Sequence, residues 1–231
     1  KYSYQMFKAQ RSPEKTAIIA ETGPMVYIAN EMTPFSGSDV VVFSNCDEVK
    51  LKVFKNGKEF IHKKDKAEKG MPSPPIVFKD VYHFLDIKAL HRNKKEREAY
   101  LVVEGLMNGK VVATDTVRSA LRPEKIVLSI DNEGVDLKAD GSDFVTVIAA
   151  VTDKQGNVKR LNNSIIKFEI SGEGSIIGDE AFIANPKQLN WGTAPILVQS
   201  STNPGTITIK ASMFYKGTLK PIAGEITLNS V

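Results

Sequence analysis

Apolar and polar positions alternate with a period of two along most of the chain, broken by glycine, asparagine and proline at short intervals, and this pattern predicts β-strands. The exception is the opening, where Tyr4, Met6 and Phe7 fall at helical spacing over Tyr4 to Gln10 and Ser12-Pro13 stops the helix. So short an amphipathic helix cannot hold a core of its own, so it must pack on something else. From Gly23 the strand pattern begins: Met25 to Ala29, Val40 to Ser44, and Val49 to Phe54, the last with clean alternation. Asn56-Gly57 and Asn108-Gly109 each supply the two positive-φ positions of a type I′ turn. Leu51 to Phe54 should therefore pair with Lys58 to Ile61, and Leu101 to Leu106 with Lys110 to Thr114, as hairpins of an antiparallel domain. The Pro-containing loop from Lys63 to Pro75 and the turn from Lys94 to Glu98 interrupt this region.

The pattern pauses at Leu121-Arg122-Pro123 and a second series follows: Lys125 to Ile130, Phe144 to Val151, Ile165 to Ile170, Ala194 to Gln199, Gly205 to Ala211 and Gly224 to Leu228. Asp140-Gly141, Gln155-Gly156-Asn157 and Asn203-Pro204-Gly205 punctuate it. About seven short strands in about 110 residues, with turns every 8 to 12 or so, is the spacing of an immunoglobulin-like sandwich. Ile207, Ile209 and Ala211 should face inward, with Thr206, Thr208 and Lys210 outward. The chain is thus expected to be all-β, two immunoglobulin-like sandwiches in tandem behind a short helix, divided as 1–20, 21–118 and 119–231.

Composition agrees with a folded chain: 231 residues, 42% hydrophobic and 25% charged, exclude a disordered, collagen-like or low-complexity scaffold. The net charge of +4 is modest, and its excess is local, in His62 to Lys69 and Arg92 to Lys95. The first run carries interspersed acids, Glu96 follows the second, and neither has an aromatic residue to stack on bases, so they read as solvated loops and not as a nucleic-acid site. Cys46 is the single cysteine, which excludes an internal disulfide and a cysteine-rich metal site. No stretch reaches the roughly 18 uninterrupted apolar residues of a membrane helix, and no membrane partner is expected. The first residues, Lys1 to Gln5, carry neither an initiator methionine nor a signal-peptide pattern, as expected of a piece of something longer.

Few residues invite a chemical role. Asn30-Glu31 resembles the acid/base position of a retaining glycosidase, but that chemistry needs a second carboxylate at about 5 to 5.5 Å, and the spacing points to none. His62, His83 and His91 complete no metal-ligand spacing, and Asp131 to Asp136 lacks the alternate-position carboxylates of a calcium loop. Neither a nucleophile elbow, a phosphate-cradling loop nor a dinucleotide fingerprint occurs, and the glycines of Gly172-Glu173-Gly174 serve a turn. Cys46 stands among acidic neighbours that would raise its pKa and blunt it as a nucleophile. Trp191, the lone tryptophan, sits in a loop before a strand. It is the one sugar-contact candidate, with Phe214 and Tyr215 as the plausible aromatic neighbours, against the alternative that it packs over a core or domain seam. No catalytic residue, metal or cofactor is expected.

Several segments carry a resemblance. Ser44 to Leu51 followed by Asn56-Gly57-Lys58, then Arg122 to Leu128, Ala139 to Val147, Asp153 to Val158, Ile170 to Gly178 and Asn203 to Ile207, resemble in joint order the C-terminal accessory domains of glycoside hydrolase family 2, especially β-galactosidase-like enzymes of Bacteroidetes type. Tyr4 to Pro13 is similar to the end of such an enzyme's catalytic barrel, where its last helix hands over to the following sandwich. The resemblance implies a non-catalytic region, since the strands bearing the catalytic glutamates belong to the barrel. The implied partner is that barrel, with an oligosaccharide and a second copy of the chain as further candidates, and the implied location is periplasmic or secreted. The alternatives are a stand-alone carbohydrate-binding or adhesin-like module and, last, a small hydrolase using Glu31.

Overall fold

The computed structural model describes residues 2–15, 23–53, 59–63, 71–85, 100–132, 134–178, 184–215 and 221–231. Its elements are almost all strands, and the chain divides into two compact units, Lys1–Ser119 and Ala120–Val231.

The first unit opens with helix α1 (Tyr2–Lys8), which ends in a turn before the predicted stop. Its strands are β1 (Val26–Ala29), β2 (Val40–Ser44), β3 (Glu48–Val53), β4 (Glu59–Lys63), β5 (Ile76–Phe78), β6 (Tyr100–Met107) and β7 (Lys110–Arg118). They form two antiparallel sheets, ordered β1-β2-β5 and β4-β3-β6-β7. Alternation puts Ile28, Val40 and Val42 of one sheet and Val49, Leu51, Leu101 and Val103 of the other into one shared core, as a sandwich requires. Two local devices close it. Asp115 on β7 accepts a hydrogen bond from the Ile28 amide of β1 at 2.8 Å, which satisfies a donor on the sheet that does not pair with β7. Gly105, at the bulge of β6, leaves room for its neighbours: a Cβ there would lie 2.6 Å from both Cys46 Sγ and Val26 Cγ1.

The β6–β7 hairpin turns at Asn108 and Gly109 with φ of 50° and 74°, the type I′ turn its sequence predicts. The β3–β4 hairpin also forms, but Leu51 lies opposite Phe60, which centres the reversal one residue before Asn56-Gly57; the turn residues themselves lie outside the described ones. One side of the helix end packs within this unit. Gln10 beside it donates to the Ser73 carbonyl at 2.6 Å and accepts from the Ser73 amide at 3.0 Å, while Ala9 and Met6 pack on Met25 and Phe43. Tyr4 and Phe7 stay exposed.

The second unit comprises β8 (Lys125–Asp131), β9 (Phe144–Thr152), β10 (Ile165–Gly172), β11 (Gly174–Ile176), β12 (Lys187–Gln188), β13 (Thr193–Ser200), β14 (Gly205–Met213) and β15 (Gly224–Ser230). Its sheets run β11-β13-β9-β8 and β12-β10-β14-β15. Ile207, Ile209 and Ala211 are fully buried, as alternation predicts, and they pack with Val147, Ala149, Ile196 and Phe168 in a single core. Burying a side chain the size of Phe168 contributes about 1.5–3 kcal/mol. The sheets are joined along one edge: the amide of Ile126 donates to the Ile222 carbonyl at 2.8 Å, and Val231 and Leu137 pair at the other end at 2.9 Å.

Candidate functional site

Trp191 occupies a two-residue hairpin turn. The bridge between Asn190 and Thr193 closes it, and Trp191 and Gly192 have φ of 51° and 73°, the left-handed pair of a type I′ turn. Gly192 is required there twice over, by its φ and because a Cβ would collide with the Lys159 carbonyl. Trp191 is another matter, since a bulky side chain in the left-handed region is an outlier. Trp191 is 57% exposed, so the turn presents much of it to solvent.

Strand direction assigns its neighbourhood. β9 and β14 end, and β10 and β13 begin, at the same end of this sandwich, with Thr193 opposite Ala150 and Met213 opposite Ile166. Phe214 and Tyr215 follow β14 directly and so lie at that end too. Their rings pack edge to face at 4.9 Å, and both are exposed. Among the described residues no ring contact links this pair to Trp191. Three exposed aromatic rings at one end offer flat apolar surface with a phenol and an indole N–H as polar handles, the means by which a protein grips the C–H face of a pyranose.

Four acids among the described residues are held by the scaffold. Asp153 is fully buried and accepts from the amides of Leu121, Gln155 and Asn157 at 2.9–3.0 Å and from Asn157 Nδ2. Burial by itself pushes its pKa up, but those hydrogen bonds together hold it below the ordinary carboxylate range. Lys159 Nζ donates to the Ala120 carbonyl at 2.9 Å, so the loop between β9 and β10 holds residues 120 and 121 at two points. Asp140 is lowered by the amides of Ser142 and Asp143, and Asp39 by the Lys79 ammonium at 2.7 Å and the Asp80 amide. Glu173 accepts from Ser201 Oγ at 2.7 Å.

The remaining sequence candidates are placed as follows. Asn30 is buried and ties a loop together, accepting from Tyr82 Oη at 2.7 Å and from the Met32 amide at 2.8 Å. Burial pushes the Tyr82 phenol up, partly offset by its hydrogen bonds with Ser36 and Asn30. Glu31 accepts from Tyr2 Oη at 3.1 Å. Cys46 is buried beneath Gly105, so burial, ahead of its acidic neighbours, governs its access. His83 lies 3.2 Å from Asp80 on the surface, while the His62 side chain, His91 and most of both basic runs lie outside the described residues. Asn132 forms a local turn with Gly134 and Val135. Among the described residues no three metal-ligating side chains converge.

Two antiparallel β-sandwich units define an all-β class of protein, and comparison with known proteins relates them to a family. Residues 126–215 match the family model described as glycoside hydrolase family 2 C-terminal domain 5. A β-galactosidase of Thermoanaerobacter pseudethanolicus is 30% identical over 222 residues, covering 93% of this chain and 27% of that protein. A β-galactosidase of Bacteroides ovatus is 28% identical over 113 residues, 46% of this chain and 13% of that protein. Among solved structures, a β-glucuronidase from glycoside hydrolase family 2 superposes with a TM-score of 0.65 at 23% identity, over 100% of this chain and 22% of that one. A β-glycosidase from Bacteroides vulgatus does so with 0.63 at 20%, over 90% and 24%. These two likenesses show the fold. Residues 126–215 are thus of the glycoside hydrolase family 2 C-terminal type, and the chain spans about a quarter of the length of the first curated relatives it matches.

Proposed function

We propose that this chain is the non-catalytic C-terminal region of a β-galactosidase-like glycoside hydrolase, supporting the catalytic barrel or its assembly in carbohydrate degradation. The observation that carries this reading is the match of nearly the whole chain to about a quarter of a β-galactosidase, together with a second unit of the C-terminal domain type. The test is to assay this chain and its intact parent on a nitrophenyl β-galactoside. Turnover by the parent and none by the chain is expected; turnover by the chain refutes the reading.

A second reading, a carbohydrate-binding module, is favoured by one observation: Trp191 is exposed and held in a left-handed turn at the end that also carries Phe214 and Tyr215. It expects glycan affinity that Trp191→Ala abolishes without loss of folding. A flat titration of the chain against galacto-oligosaccharides refutes it.

A further inference from the structure

The two outer faces of the second sandwich differ in chemistry. On the sheet of β10, β14 and β15 the outward positions are polar: Glu169 lies opposite Lys210 and Lys210 opposite Glu225, with Ser171, Thr208 and Thr227 in the next row. On the sheet of β8, β9, β13 and β11 the outward positions include Val127, Phe144, Ile148, Ile177, Pro195 and Leu197. Cross-strand register makes them one surface: Val127 pairs with Ala150, Ile148 lies between Ser129 and Pro195, and Leu197 neighbours Thr146. Val127, Phe144, Ile177 and Leu197 are 37–54% exposed. A solvated sheet face alternates polar outward, whereas the outward side chains of β9 are Phe144, Thr146, Ile148 and Ala150, three of the four apolar.

We propose that this outer face docks a neighbouring domain of the same polypeptide, one lying outside these 231 residues. The proposal rests on the reading of the chain as part of a longer enzyme. Size chooses the occupant. Four strands about 4.8 Å apart, crossed over about 20 Å of β9, give a face of about 400 Å². A stable complex between separate chains buries about 800 Å² per partner, twice that, whereas domains within a chain meet over about 600–1,500 Å² in total, which about 400 Å² per side satisfies. The chain covers 27% of the Thermoanaerobacter relative, so in an enzyme of that length ample polypeptide exists to supply the cover.

The experiment compares thiol labelling by a maleimide in this chain and in the intact parent. Leu197→Cys and Ile148→Cys report the apolar face, Thr208→Cys reports the polar one, and buried Cys46 supplies a slow background. The Leu197 and Ile148 thiols should react at least about tenfold more slowly in the parent than in the chain, with Thr208→Cys reacting alike in both. Equal rates at both apolar positions overturn the proposal. So does protection in the isolated chain that is lost on dilution, which assigns the face to a second copy. Two independent positions guard against one variant failing to fold. Hydrolysis of a nitrophenyl β-galactoside by the same parent preparation reports the functional reading separately: a hydrolysing parent with open thiols sinks the face alone, and an inert parent with protected thiols sinks the reading alone.

Discussion

Removing the Asp153 carboxylate should be among the most damaging polar changes in the second unit. The group is fully buried, yet its two oxygens receive the Leu121, Gln155 and Asn157 amides and the Asn157 side chain. A hydrogen bond to a charged group contributes about 1.5–3 kcal/mol, and donors left unpaired cost about 1–3 kcal/mol each unless water reaches them. Water can reach part of the 154–156 turn, whose residues are exposed, so the net loss in Asp153→Ala should be about 2–4 kcal/mol. For a unit of this size that lowers the melting midpoint by about 8–15 °C. The pH dependence carries the sign. The folded pKa lies below the unfolded value, so the contribution is fully present above the unfolded pKa of about 3.9 and is lost as pH falls through the folded pKa. Urea titrations of wild type and Asp153→Ala at pH 7 should therefore differ by those few kcal/mol, and the gap should narrow below about pH 4. A difference within about 0.5 kcal/mol at pH 7, or a gap that widens in acid, refutes the reasoning.

Two smaller perturbations test other parts of the scaffold. Gly105→Ala places a methyl 2.6 Å from Cys46 Sγ and Val26 Cγ1 and should cost about 1–3 kcal/mol in a urea titration of the first unit, partly recovered by adding Cys46→Ala; an unchanged midpoint contradicts the close approach. Trp191→Asn keeps the left-handed turn with a residue suited to it, so thermal unfolding should be unchanged or raised by about 0.5–1 kcal/mol; a loss above about 1 kcal/mol means the indole packs against something after all.

The parts of the fold legible in the sequence are those governed by neighbours a few residues apart. Alternation in Thr206 to Ala211 placed the inward side chains, and Asn108-Gly109 placed a turn, because period and φ are local properties. Strands β5, β11 and β12 escaped notice: each is three residues or fewer, too short for a period to show, and β5 follows Pro72, Pro74 and Pro75. The β3–β4 register followed the sheet and not the Asn56-Gly57 pair alone. The pairing of Gln10 with Ser73 joins residues 63 apart, and the Asp153 grip on Leu121 spans 32, so no spacing rule announces them. The site was half legible. Trp191 stood out by type and loop position, but its exposure depends on a turn whose second position lies too close to the distant Lys159 carbonyl for any residue but glycine. The apolar outer face did leave a mark, the run from Phe144 to Val151, in which Thr146 is the one polar residue, against the regular polar alternation of β14.

The central claim is that this region serves the architecture of a glycosidase and not its chemistry. The direct measurement is turnover per active site in the parent enzyme ended before Gly23, which keeps the segment resembling the end of the barrel, with sites counted by a mechanism-based inactivator. The account predicts kcat/KM per titrated site within about threefold of the intact parent, alongside a clearly lower midpoint of thermal inactivation. An unchanged midpoint with turnover per site reduced by more than about a hundredfold would contradict it.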